Sequence, residues 1–193
     1  HFLQENRVIE DFSQVALLLH SVRLEHSGHY LAALEEKGIP AFCPRARGYF
    51  ENDEVRYMVA CFAVILGHFG DQRGEIQGHS LLKMAAYIDE CIVDLGKNFP
   101  QPHPLAVALR EVQEEIAGLK KGGALDRRLA DYFYRFLSFE PFASMVKNEN
   151  RARNLAIFSG LLNVFQNYYH YTVISYKNRD FLRLHFFNSF LRL

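Results

Sequence analysis

Three features of the sequence predict a mainly α-helical fold preceded by a small α/β piece of strand, helix and strand. Apolar residues recur at helical spacing in segment after segment from Val55 to the C-terminus. One short continuous apolar run, Val15 to Leu19, is of the kind shown by a strand buried on both faces. Beyond residue 67 no further segment carries a strand signal.

The elements follow in order. After Val15–Leu19, a stripe of Leu24, Leu31 and Leu34 with Ala32 and Ala33 predicts a helix, and Gly38 stands where a left-handed C-terminal cap belongs. Ile39 to Cys43 reads as a second short strand, because the residue before Pro40 is pushed toward extended backbone. The loop Pro44–Phe50 leads to Asn52-Asp53-Glu54, a candidate N-cap with two carboxylates at the positive end of a helix. Val55, Met58, Val59, Phe62, Ile65 and Leu66 continue that helix, and Gly67 can end it. Further helices are predicted at about 80–95, 104–120 with Pro104 at the first position, 125–138, 151–170 and from 179 onward. The expected division is therefore residues 1–67, a linker at 68–78, and a helical part at 79–193.

Composition narrows the function classes. The longest apolar run is far short of the roughly 18–20 residues that a membrane-crossing helix needs, and the N-terminal stretch does not read as a signal peptide. Three widely spaced cysteines, Cys43, Cys61 and Cys91, fit neither a disulfide framework nor a CxxC metal site. They read as buried thiols of a cytoplasmic protein. His26 and His29 have no partner cysteine or HExxH pattern nearby and read as a solvated helix face. There is no GxxxxGK[ST] or GxGxxG phosphate loop and no GxSxG elbow. Glu114 and Glu115 are adjacent on a helix, so they do not face a common site. No catalytic residue, metal ligand or cofactor-binding residue is expected in the chain itself. Its start at His1-Phe2 and its end within an apolar, helical pattern suggest a piece of a longer protein.

Net charge is zero but unevenly distributed. Residues 145–193 hold seven Lys and Arg against two Asp and Glu, whereas residues 1–144 hold 15 against 20. The basic tail, with Lys177, Arg179 and Arg183, can attract phosphate or can simply be a solvated face. Its Tyr168, Tyr169, Tyr171 and Tyr176 can stack on bases or can fill a core.

An ordered series carries a resemblance. Val15-Ala16-Leu17-Leu18-Leu19-His20-Ser21, then Leu31 to Pro40 ending Glu36-Lys37-Gly38-Ile39-Pro40, then Gly48-Tyr49-Phe50, then Glu54-Val55 resembles UvrD-like superfamily 1 DNA helicases. In that family a strand like IAVLxR precedes a helix ending LxxxGIP, a GGxxFF-type loop and an E[IV]-headed helix. These lie in the second RecA-like domain (2A), just before the inserted accessory domain (2B). Phe158 to Leu162 and Phe186 to Leu191 look like the end of that insertion. The chain departs from the family at His20, where Arg or Thr is common, and at Arg45 and Ala46, where paired glycines would fall.

The resemblance implies a parent that couples ATP and Mg²⁺ chemistry, held outside this chain, to 3′-to-5′ translocation on single-stranded DNA in replication or repair. This chain would contribute contacts to single-stranded DNA or to a single/double-strand junction. Candidate contact residues are Arg45, Arg47, Phe50 and Glu54 in the first part, with Lys177, Arg179 and Arg183 in the tail. The alternative reading has Phe50 filling the core and Glu54 capping a helix. The rival readings are a purely protein-binding or autoinhibitory helical module and a self-contained small hydrolase.

Overall fold

The computed structural model describes residues 5–17, 19, 24–39, 41, 48–68, 79–99 and 102–190. These form two compact units, His1–Asn52 and Asp53–Leu193. Helix dominates both, and among the described residues there is no strand. No described helix is long and apolar enough to cross a membrane.

The first unit holds a 3₁₀ turn at Phe12–Gln14, helix α1 (Leu24–Glu36) and a second 3₁₀ turn at Tyr49–Glu51. Helix α1 ends as its sequence predicts. Gly38 takes φ +66°, its N–H donates to Glu35 O at 2.9 Å, and Ile39 N–H donates to Leu34 O at 2.9 Å. This pair of bonds satisfies two carbonyls of the last turn, and the left-handed backbone suits glycine. Among the described residues of the expected strand at Val15–Leu19, which are Val15, Ala16, Leu17 and Leu19, none is in a strand, and Val15 and Leu17 are 42% and 58% exposed. A strand buried on both faces needs paired edges and covered faces. Neither Ile39 nor Ala41 supplies a second strand, while Pro40, Phe42 and Cys43 lie outside the described residues.

The second unit contains α2 (Asp53–Leu66), α3 (His79–Asn98), α4 (Pro104–Ala117), α5 (Leu129–Leu137), the single turn α6 (Phe142–Met145), α7 (Glu149–Tyr169) and α8 (Arg179–Phe190). Its centre is α2. Eleven of the 14 residues of α2 are buried, so the helix is apolar nearly all round, as a helix enclosed by others must be. It packs against α3, α4, α7 and α8. The compact units divide before this helix, whereas the sequence suggested a boundary after it: α2 packs with the helices that follow it. Gly67, at φ +63°, repeats the cap of α1, with Gly67 N–H to Val64 O at 3.1 Å and His68 N–H to Ala63 O at 2.9 Å. Of the expected linker at 68–78, His68 belongs to the cap of α2 and residues 69–78 lie outside the described residues.

Phenylalanines from four helices form the core. The Phe62 ring stacks on Phe186 at 5.6 Å, lies 5.8 Å from Phe158 and meets Phe136 edge-on at 6.1 Å, while Phe133 stacks on Phe158 at 5.9 Å. Offset and perpendicular pairs of this kind add to the burial of the rings themselves. Arg56 reaches Asp94 and Tyr57 accepts from Asn98 at 3.0 Å, tying α2 to α3. Cys61 and Cys91 are buried thiols, while Cys43 is outside the described residues. Burial raises both, Cys91 to about 11, so neither ionises readily.

Candidate nucleic-acid interface

The basic tail begins where α7 ends. Asn148 caps α7 by accepting the Arg151 N–H at 3.1 Å. At the other end His170 closes the helix in the left-handed conformation, φ 55° and ψ 26°. The connection from α7 to α8 is held by buried Asn178, whose Oδ1 accepts from Ser175 N–H and whose Nδ2 donates to Val173 O, each at 2.8 Å. An isolated antiparallel bridge joins Ala124 to Ser175, with Leu125 N–H to Ile174 O at 2.8 Å and Tyr176 N–H to Gly123 O at 3.0 Å. This pairing explains why α5 begins at Leu129 and not at 125 as predicted. Residues 123–125 are engaged with the tail, and the Asp131 carboxylate then accepts the Arg128 N–H at 2.7 Å to start the helix.

The predicted phosphate contacts are not equivalent. Lys177 is exposed. Arg179 Nη1 donates to Ala117 O at 3.0 Å and Leu119 O at 3.2 Å, capping the C-terminal end of α4, and its guanidinium lies 4.7 Å from the centre of the Tyr176 ring. A cation at the negative end of a helix is favourable, and this one is engaged there. Arg183 lies against Gly67: a Cβ built on that glycine would stand 3.6 Å from Arg183 Nε and Nη2. Arg183 Nε is buried without a hydrogen-bond partner among the described residues. Of the three, Arg179 is engaged at the end of α4, Arg183 lies against Gly67, and Lys177 is exposed.

The remaining candidates divide by unit. In the first, Phe50 is half-buried in the 3₁₀ turn, edge-on to Tyr49 at 5.0 Å, and Arg45 and Arg47 lie outside the described residues. In the second, Glu54 is buried. Its carboxylate accepts from Asn154 Nδ2 at 2.6 Å and lies 3.9 Å from Arg151 Nε, so it joins the start of α2 to α7 and does not face solvent. A buried carboxylate needs such partners. Glu54 is thus more than a helix cap, and burial keeps it from being an external contact.

Aromatic side chains are what the tail does bring together at the surface. Tyr168 is 76% exposed and stands perpendicular to Tyr169 at 4.9 Å. Tyr169 stacks on Tyr171 at 6.3 Å and 13°, Phe181 meets Tyr169 and Tyr171 at 5.2 Å each, and His185 lies 4.8 Å from Phe181. The sequence pointed to the tyrosines but missed Phe181 and His185. Their spacing of four residues on one helix was the available signal, since i and i+4 share a face.

Elsewhere, a cleft of about 580 Å³ is lined by Asp53, Tyr57, Asn98, Glu140 and Arg151, among others. Among the described residues no group of three or more His, Cys, Asp or Glu is placed to hold a metal ion. His29, from the sequence's one close histidine pair, is exposed, and so are Glu114 and Glu115. No protein-family model matches the chain, and no curated protein or solved structure is significantly similar to it.

Proposed function

We propose that this chain is part of an ATP-dependent DNA helicase of the UvrD-like superfamily 1 type, joining a portion of the second motor domain to a helical accessory domain. The phosphate-binding lysine, the Mg²⁺-binding carboxylate and the arginine finger of such a motor would lie in other parts of the protein. This chain contributes contacts to DNA and no chemistry of its own.

The supporting observation is the order of local structures along the resembling segment. A helix closes at left-handed Gly38, a short turn follows at Tyr49–Glu51, and a helix headed by Asp53-Glu54-Val55 comes next. This is the succession that the helix ending in LxxxGIP, the FF-type loop and the E[IV]-headed helix imply. The helices from α3 onward would be the accessory insertion that follows that helix, with α2 packed among them. The strand at Val15–Leu19, which the resemblance also implies, is not among the described elements, so the reading rests on the later members of the series.

The test is to express the whole reading frame that encodes this chain and to measure ATP hydrolysis with and without single-stranded DNA, together with unwinding of a 3′-tailed duplex. DNA-stimulated hydrolysis with unwinding is expected. Hydrolysis indifferent to DNA, or none, would sink the reading.

A further inference from the structure

Exposed tyrosine needs a reason when it is gathered with other rings. Single exposed apolar side chains are common, but a contiguous exposed aromatic patch marks an interaction surface. Five rings from the end of α7, the connection and the start of α8 touch in sequence, with centroid separations between 4.8 and 6.3 Å. Tyr168 cannot be explained as core at 76% exposure, and Tyr169, Tyr171 and Phe181 are only half-buried.

We infer that Tyr168, Tyr169, Tyr171, Phe181 and His185 form a stacking platform for the unpaired bases of single-stranded DNA. The choice of partner rests on the helicase reading; the choice of face does not. Charge favours a polyanion, because residues 145–193 carry seven basic against two acidic side chains, and Lys177, which falls between Tyr171 and Phe181 in the chain, is exposed. The acid next to Phe181, Asp180, lies 3.9 Å from Arg179 Nε, which offsets its charge. Arg179 and Arg183 are engaged with α4 and Gly67, so binding here depends more on ring faces than on a phosphate clamp. Stacking of that kind tolerates any base, because every base has a π-face.

The experiment uses this 193-residue chain and a labelled oligothymidylate, read by fluorescence anisotropy at low salt, with a second oligonucleotide carrying 2-aminopurine to report stacking. Tyr168→Ala should weaken binding about 5- to 100-fold, in line with the loss of one stacked base, and should relieve the 2-aminopurine quenching. Tyr168→Trp should retain both, and Val164→Ala, at an exposed position on the same helix, should change neither. Circular dichroism controls for folding. Equal binding by the parent and Tyr168→Ala, quenching that does not depend on Tyr168, equal binding of blunt duplex, or no binding of oligothymidylate would each overturn the platform. DNA-stimulated ATP hydrolysis by the whole protein separates that failure from failure of the helicase reading.

Discussion

Helices α1 and α2 are almost equal in length, 13 and 14 residues, and both end in the same glycine cap, yet they occupy opposite environments. In α1 Leu31 and Leu34 are only half-buried, Tyr30 is exposed, and no residue of the first unit whose exposure is described is buried. In α2 every residue from Tyr57 to Ala63 is buried. Periodicity made each helix predictable, but packing decides how much each contributes to stability. The cap fixes where a helix stops; the elements that cover it fix what its removal costs.

The comparison is broken most directly by truncating one side chain from each helix. Phe62→Ala should cost about 3–5 kcal/mol, because the ring is fully buried among Phe136, Phe158 and Phe186 and leaves a cavity. Leu34→Ala, at a half-buried position, should cost less than about 1 kcal/mol. Urea denaturation measures both, and similar losses would mean that the first unit has a core of its own. Hydrogen exchange sharpens the same contrast. Amides of α2 should open together with α3, α4 and α7, and those of α1 should exchange at least about 100-fold faster, as local stability follows buried contacts. If α2 exchanged with α1, the division at Asn52 would be wrong.

The two cysteine-bearing helices give a pH test confined to the second unit. Burial raises the Cys61 and Cys91 thiols above their unfolded value of about 8.5. A raised folded pKa favours the protonated form in the native state, so its stabilisation is complete below the unfolded pKa and is lost as pH rises. Between pH ~9 and ~11 stability should fall by up to about 1.4 kcal/mol per pH unit for each such thiol. Denaturation midpoints at several alkaline pH values check this, and Cys61→Ala should flatten the profile. A profile that is flat in the parent protein would mean that the thiols are not held protonated.

Much of the second unit was legible in the sequence because its signals are local. Pro104 at the first position of α4, Gly67 after α2, and the 3.6-residue stripe of Leu155, Phe158, Leu162 and Phe165 each act within a turn or one helix face. What could not be read depends on residues far apart in the chain. Val15–Leu19 has the composition of a buried strand, but composition cannot supply the neighbouring strands such a segment needs. Arg179 sits in a basic run and reads as a phosphate contact, but the α4 carbonyls it binds are some 60 residues away. Glu54 heads a helix, and its Asn154 partner is 100 residues distant.

The smallest expected effects separate the two kinds of cation in the tail. Arg179→Ala should destabilise the second unit by about 1–2 kcal/mol, since it removes a charged donor from the end of α4. Its effect on DNA binding at saturating folded fraction should be slight. Lys177 is exposed, and Lys177→Ala should leave stability within about 0.5 kcal/mol. If Lys177 contacts phosphate beside the aromatic platform, its removal should flatten the log-affinity against log-salt slope for single-stranded DNA by about 0.7, one released counterion's share. Anisotropy titrations of the two variants at four or more salt concentrations measure both slopes. A flattened slope for Arg179→Ala, with none for Lys177→Ala, would mean that Arg179 leaves α4 to bind DNA. The tail would then meet phosphate through the residue that the structure ties down.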